Sequence, residues 1–190
     1  MSITEWLKSL YGKFDKLYSD IFTAVCADCN DHDCEGYVWL LSEEADMLVE
    51  SGVAVVELNG NTNFIHSFPE DEGQLRLNVV KPPCVLRDEK RCSIYKIRPL
   101  VCRMYPVGIV THEGQIVLAL HEDCEYVRRM EPEQRSEFVA NIQSIFSEIP
   151  AEAIDEIVES YRKVDAISHL PEGPNQYTLI GPIGNSEERR

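Results

Sequence analysis

Apolar residues recur on one helical face at the start of the chain: Ile3, Trp6, Leu7, Leu10, Phe14, Leu17, Tyr18, Ile21, Phe22 and Val25. This 3.6-residue period predicts an amphipathic helix over residues 2–25. Ser2 and Glu5 have capping-box spacing, and Gly12 weakens the middle. The same period returns near the other end. Phe138, Val139, Ile142, Ile145, Phe146 and Ile149 follow Pro132, and Ile154, Ile157, Val158, Tyr161, Val164 and Ile167 follow Pro150. Proline suits a first helical turn, so a C-terminal pair of antiparallel helices is predicted. A shorter helix is expected at Ser42, read as an N-cap with Glu43 and Glu44 in the first turn, ending at Gly52 as its C′ residue.

Between these helices the period drops to two or to short apolar runs. Residues 36–41 read as a short buried strand or an extended entry. Val53 to Leu58 and Asn63 to Phe68 read as strands joined at Asn59-Gly60, and Gln74 to Val80 as an alternating strand. Val107 to Thr111 and Gln115 to Leu120 flank His-Glu-Gly as a second hairpin. The tail from Pro171 is rich in Pro, Gly and polar residues and reads as frayed. The expected fold is α+β. An N-terminal amphipathic helix, small antiparallel strands and hairpins around a cysteine cluster, and a C-terminal helical pair make a single domain over 1–170, followed by a flexible tail over 171–190.

The cysteines turn this pattern toward chemistry. Seven of them fall into three groups: Cys26, Cys29 and Cys34; Cys84, Cys92 and Cys102; and Cys124. Residues 1–18 show no basic stretch followed by an apolar run, which predicts no signal peptide. An odd cysteine count without such a leader argues against a disulfide framework, and Cys-x-x-Cys spacing argues for a shared metal. The turn-prone Ala27-Asp28 and Asn30-Asp31 suit the sharp bend that brings Cys26 and Cys29 to one ion. The longest apolar runs are about five residues, against roughly 20 for a membrane span, so a soluble protein in the reducing cytoplasm is expected, with thiols available for metal.

The net charge of −15 disfavours phosphate backbones and anionic lipid, which argues against nucleic acid and membrane as partners. Lys81 to Arg103 is the exception, with seven basic residues and two acids, a local +5 against −20 elsewhere. It also holds Cys84, Cys92 and Cys102. Cationic neighbours favour the thiolate, the form that binds metal. The alternative reading of this stretch is a basic surface loop on an acidic protein.

The most specific run is Cys92-Ser-Ile-Tyr-x-x-Arg-Pro-x-x-Cys102-Arg-x-Tyr-Pro106, preceded by Cys26-x-x-Cys29, Cys34 and Cys84 and followed by Cys124. Over roughly Cys26 to Cys124 it resembles the CxxCxxCC (YkgJ-type) family of cysteine-cluster proteins, and Trp39-Leu40-Leu41-Ser42-Glu43-Glu44 looks like the stretch between that family's motifs. One thiol departs from the family pattern. Its first motif closes on adjacent cysteines, where this chain has only Cys34, and His32 or Asp33 is a candidate replacement.

The resemblance implies a zinc- or iron-chelating domain with all seven cysteines as candidate metal ligands, and flagellin lysine methylases are similar in carrying such a cluster. All-thiolate ligation suits tetrahedral Zn2+ or an iron–sulfur cluster. The long, unequal gaps lack the paired knuckles of a zinc ribbon and favour a [4Fe–4S] cluster. Arg98 and Arg103 are candidate cofactor-binding groups that donate hydrogen bonds to cluster sulfur or to the cysteine loops. Pro99 would fix the bend that presents Cys102, and Tyr95 and Tyr105 would either wall the site from water or pack as ordinary half-buried rings. His121, three residues before Cys124, is either a nearby ligand or a strand-end histidine held by backbone.

No radical-SAM Cys-x-x-x-Cys-x-x-Cys, GxGxxG, P-loop, HExxH or Gly-x-Ser-x-Gly pattern occurs, so no separate catalytic apparatus is read. Three functions remain open: a cytoplasmic metal protein with a structural or electron-carrying cluster and an electron-transfer partner, an enzyme or accessory in protein modification, and a zinc-stabilised protein-interaction module.

Overall fold

The computed structural model describes residues 3–21, 38–53, 55–58, 62–65, 87–88, 91–92, 94–165 and 177–183. The chain is α+β and divides into two compact units. One comprises Met1–Cys29, Arg103–Val158 and Pro174–Arg190, and the other Asn30–Cys102 and Glu159–Gly173.

The first unit opens with α1 (Ile3–Ile21), whose buried stripe of Trp6, Leu7, Leu10, Phe14 and Tyr18 follows the sequence period. Residues 22–25 of the predicted helix lie outside the described residues. Helix α5 (Pro132–Ser147) buries Phe138, Ile142, Ile145 and Phe146. Within α1 Phe14 stacks on Tyr18 at 6.1 Å, and the two helices meet where Phe14 touches the edge of Phe146 at 6.2 Å and Tyr18 tilts against Phe138 at 6.0 Å. Lys13 closes the contact with an ion pair to Glu148 at 2.5 Å. Helix α6 (Ala151–Asp165), of which residues up to Val158 belong to this unit, starts after Pro150, as its proline predicts, and buries Ala153, Ile154, Ile157 and Val158.

The sheet of this unit has the order β6–β7–β8, formed by Val107–His112, Gln115–His121 and Tyr177–Pro182. The predicted hairpin is present. His112 pairs with Gln115 across Glu113 (φ 50°) and Gly114 (φ 75°), a two-residue turn with both residues left-handed. Strand β8 corrects the expectation of a frayed tail at 177–182, because its backbone pairs antiparallel with β7. At the Leu118/Ala119 irregularity, Gly181 adopts φ 146°, a backbone that suits glycine, and Gln143 Nε2 of α5 donates to the Ile180 carbonyl at 3.1 Å. Glu122 joins the end of β7 to both Arg135 of α5 and Thr178 of β8.

The second unit holds a sheet of order β1–β3–β2, from Val38–Trp39, Thr62–Ile65 and Val55–Leu58. The pairing of Leu58 with Thr62 confirms the predicted antiparallel return, with three residues between the paired ends. Helix α2 (Ser42–Glu50) ends as expected. Gly52 has φ 82°, its N–H donates to Val49 O, and the Val53 N–H donates to Leu48 O, the two bonds of a Schellman stop. Leu40, Ala45, Leu48 and Val53 form a small core with Ile94 and Ile97 packed on it. The start of α2 differs from expectation. Ser42 is already helical and Leu41 takes the cap position, so the Leu41 N–H is satisfied from within the helix by Glu44. The alternating segment at 74–80 lies outside the described residues.

Phe14 is fully buried among Tyr18 and Phe146. Phe14→Ala is expected to lower the unfolding free energy by about 3–5 kcal/mol, read from the midpoint of urea denaturation followed by circular dichroism.

Candidate metal centre

The cysteine segment is built from short pieces. Hairpin β4–β5 (Arg87–Asp88 and Arg91–Cys92) pairs Cys92 with Arg87, a 3-10 turn follows at Tyr95–Ile97, and α3 (Leu100–Met104) starts directly after Pro99. Cys92 thus sits at the end of a strand, and Cys102 lies in the middle of α3. Cys124 caps the short helix α4 (Glu125–Arg128). Their surroundings differ: Cys92 is half-buried, Cys102 exposed and Cys124 buried. Cys26, Cys29, Cys34 and Cys84 lie outside the described residues, as do His32 and Asp33. Among the described residues no group of three or more Cys, His, Asp or Glu side chains is placed to hold a metal ion. The donor type fits the expected metals, since clustered thiolates suit zinc and iron–sulfur alike.

Two of the segment's cations are turned inward, so the basic surface-loop reading does not hold at these positions. Arg98 is 7 % exposed, with its guanidinium 3.8 Å from the Tyr95 ring centroid. Tyr95 is 37 % exposed and acts as the platform for that cation. Arg103 is 5 % exposed. Its Nη1 donates to both carboxylate oxygens of Asp15 in α1 at 2.6 and 2.7 Å, and its guanidinium lies 4.2 Å from the Tyr11 ring centroid. One turn later Tyr18 Oη donates to the Met104 carbonyl at 2.8 Å. Arg103 and Met104 therefore fasten the chain just after Cys102 to successive turns of α1.

On the other side of Cys102, Glu44 provides a contact that sequence reading missed. Its side chain is wholly buried, Oε2 accepts the Leu41 N–H at 3.0 Å, and Oε1 accepts the Leu100 N–H at 2.5 Å. The second bond joins residues 56 positions apart at the first residue of α3. Sequence assigned Glu44 only a helix-dipole role. The available signal was an acid at the third helical position after an apolar cap, a position from which it can reach back to the cap.

His121 stands at a strand end and is held there by backbone. It ends β7, its N–H donates to the Pro106 carbonyl at 2.9 Å, and its ring lies 5.4 Å from Tyr105 and 4.6 Å from Tyr177. The ring sits over Gly108, where an added Cβ would come within 2.7 Å of Nε2. Tyr105 is thus half of an aromatic clamp on His121. Beside Cys124, Glu125 binds Arg128 and Arg129, and these guanidiniums hold its carboxyl below the usual carboxylate range.

The CxxCxxCC family model, described as "Putative zinc- or iron-chelating domain", matches residues 24–125, more than half of the chain. The chain belongs to the CxxCxxCC family. The match takes in all seven cysteines, together with Glu44, Arg98 and Arg103. Helices α5 and α6 and strand β8 lie beyond this CxxCxxCC region. No curated protein and no solved structure matches the chain.

Asp15 is 53 % exposed at its side chain while Arg103 is buried, so removing the acid strands the cation. Asp15→Asn and Arg103→Met are each expected to destabilise the protein. The coupling from the double-mutant cycle should be about 1–3 kcal/mol. Additive single effects in urea unfolding would show that the pair does not fasten α1.

Proposed function

We propose that this protein holds an iron–sulfur cluster, of [4Fe–4S] type, through thiolates drawn from Cys26, Cys29, Cys34, Cys84, Cys92, Cys102 and Cys124, and that the cluster carries electrons to a protein partner. Membership of a zinc- or iron-chelating family supports metal binding. The observation favouring a cluster over structural zinc is the wide and unequal spacing of Cys84, Cys92, Cys102 and Cys124. Structural zinc sites draw on closely spaced ligand pairs, whereas cluster ligands tolerate separate elements and unequal gaps. Arg98 and Arg103, buried within the cysteine segment, support a role in positioning the ligand loops and setting the electrostatics around bound sulfur.

A reducing cytoplasm suits this chemistry, because thiols there remain available to metal. Among the described residues no helix is long and apolar enough to cross a membrane. The acidic surface favours a protein partner over nucleic acid.

Anaerobically purified protein should be brown and contain iron and acid-labile sulfide in equal amounts. Cys92→Ser and Cys102→Ser should each lose most of the metal and melt at lower temperature, since ligand loss removes folding free energy. A colourless protein with stoichiometric zinc and no sulfide would overturn the cluster in favour of a zinc module. Full metal content in both variants would remove Cys92 and Cys102 from the ligand set.

A further inference from the structure

We infer that Glu44 is the positioning residue for Cys102. The inference rests on the reading of Cys102 as a metal ligand. A fully buried carboxylate survives only where hydrogen bonds replace the lost water. Glu44 receives one such bond from its own helix cap, Leu41, and the other from Leu100, two residues before Cys102. Helix α3 has only five residues and cannot hold its own geometry, because a short helix does not repay its nucleation cost. Its first turn follows Pro99 and is tied by Glu44 to α2, whose far end is closed by the Gly52 stop and whose inner face packs Ala45 and Leu48 into the small core. Glu44 therefore passes the rigidity of a packed helix to a cysteine that is itself exposed. Orienting groups of this kind set ligand geometry without touching the metal.

The test uses the full chain, freed of metal and titrated anaerobically with Co2+ against a competing chelator. Glu44→Gln keeps the size but replaces one acceptor with a donor. Glu44→Asp keeps the charge and can still cap Leu41, but is too short to reach Leu100 as well, and it carries the test if the glutamine variant fails to fold. Asp46→Asn, an exposed charge-matched change on the same helix, is the control.

Both Glu44 variants should bind Co2+ about tenfold or more weakly and change the shape of the thiolate-to-cobalt absorption band. The Leu100 amide should exchange at least about tenfold faster in the metal-free protein, and the control should match wild type. Faster exchange with wild-type affinity and an unchanged band would make Glu44 a packing residue and overturn the inference alone. Unchanged exchange at Leu100 would overturn it by removing the hydrogen bond. Wild-type Co2+ affinity and an unchanged band in Cys102→Ser would instead overturn the reading of Cys102 as a ligand, on which the inference stands.

Discussion

Charge removed from water governs the stretch around Cys102. Among the described residues the buried charged side chains are Glu44, Arg98 and Arg103, and each lies in or bonds to residues 98–103. Burying an ionised group is costly unless hydrogen bonds, an opposite charge or an aromatic face replaces its hydration. Here Glu44 takes two backbone N–H groups, Arg98 lies over Tyr95, and Arg103 takes Asp15 and Tyr11. Such contacts are directional, unlike apolar burial: within the second unit Glu44 fixes the backbone at Leu100, and within the first Arg103 is tied to Asp15.

This arrangement gives physical content to the +5 patch on an acidic chain. The patch is divided by role: at least two of its cations are structural members whose side chains are nearly closed to solvent. Their charge still acts at short range through a low-dielectric surround, where it counts for more than at an exposed surface. Thiolates and the anionic centres they form benefit from fixed positive charge nearby.

The first unit shows how the remaining surface is tied down. Strand β8 adds an edge to the β6–β7 hairpin, and α5 reaches that edge through Gln143 to Ile180 O and Arg135 to Thr178. A strand edge that side chains occupy is a poor template for unwanted pairing. His121 is held in the same region by two tyrosines and the missing side chain of Gly108. It stands at the end of β7, three residues before Cys124.

Helices α1, α5 and α6, the Gly52 stop and the Glu-Gly hairpin were legible because each is set by local means: a 3.6-residue apolar period, proline in a first turn, or a residue that tolerates positive φ. The cysteine spacing likewise carried the resemblance to the zinc- or iron-chelating family. Strand β8 was not legible, because Tyr177–Pro182 is a strand only by virtue of pairing with β7, more than fifty positions earlier. The reach of Glu44 to Leu100 was hidden for the same reason, as was the inward turn of Arg98 and Arg103, whereas the Leu41 cap spans only three residues and had a local signal. Periodicity records which faces are apolar, whereas the partner of a buried charge depends on which distant backbone group or ring the folded chain brings beside it.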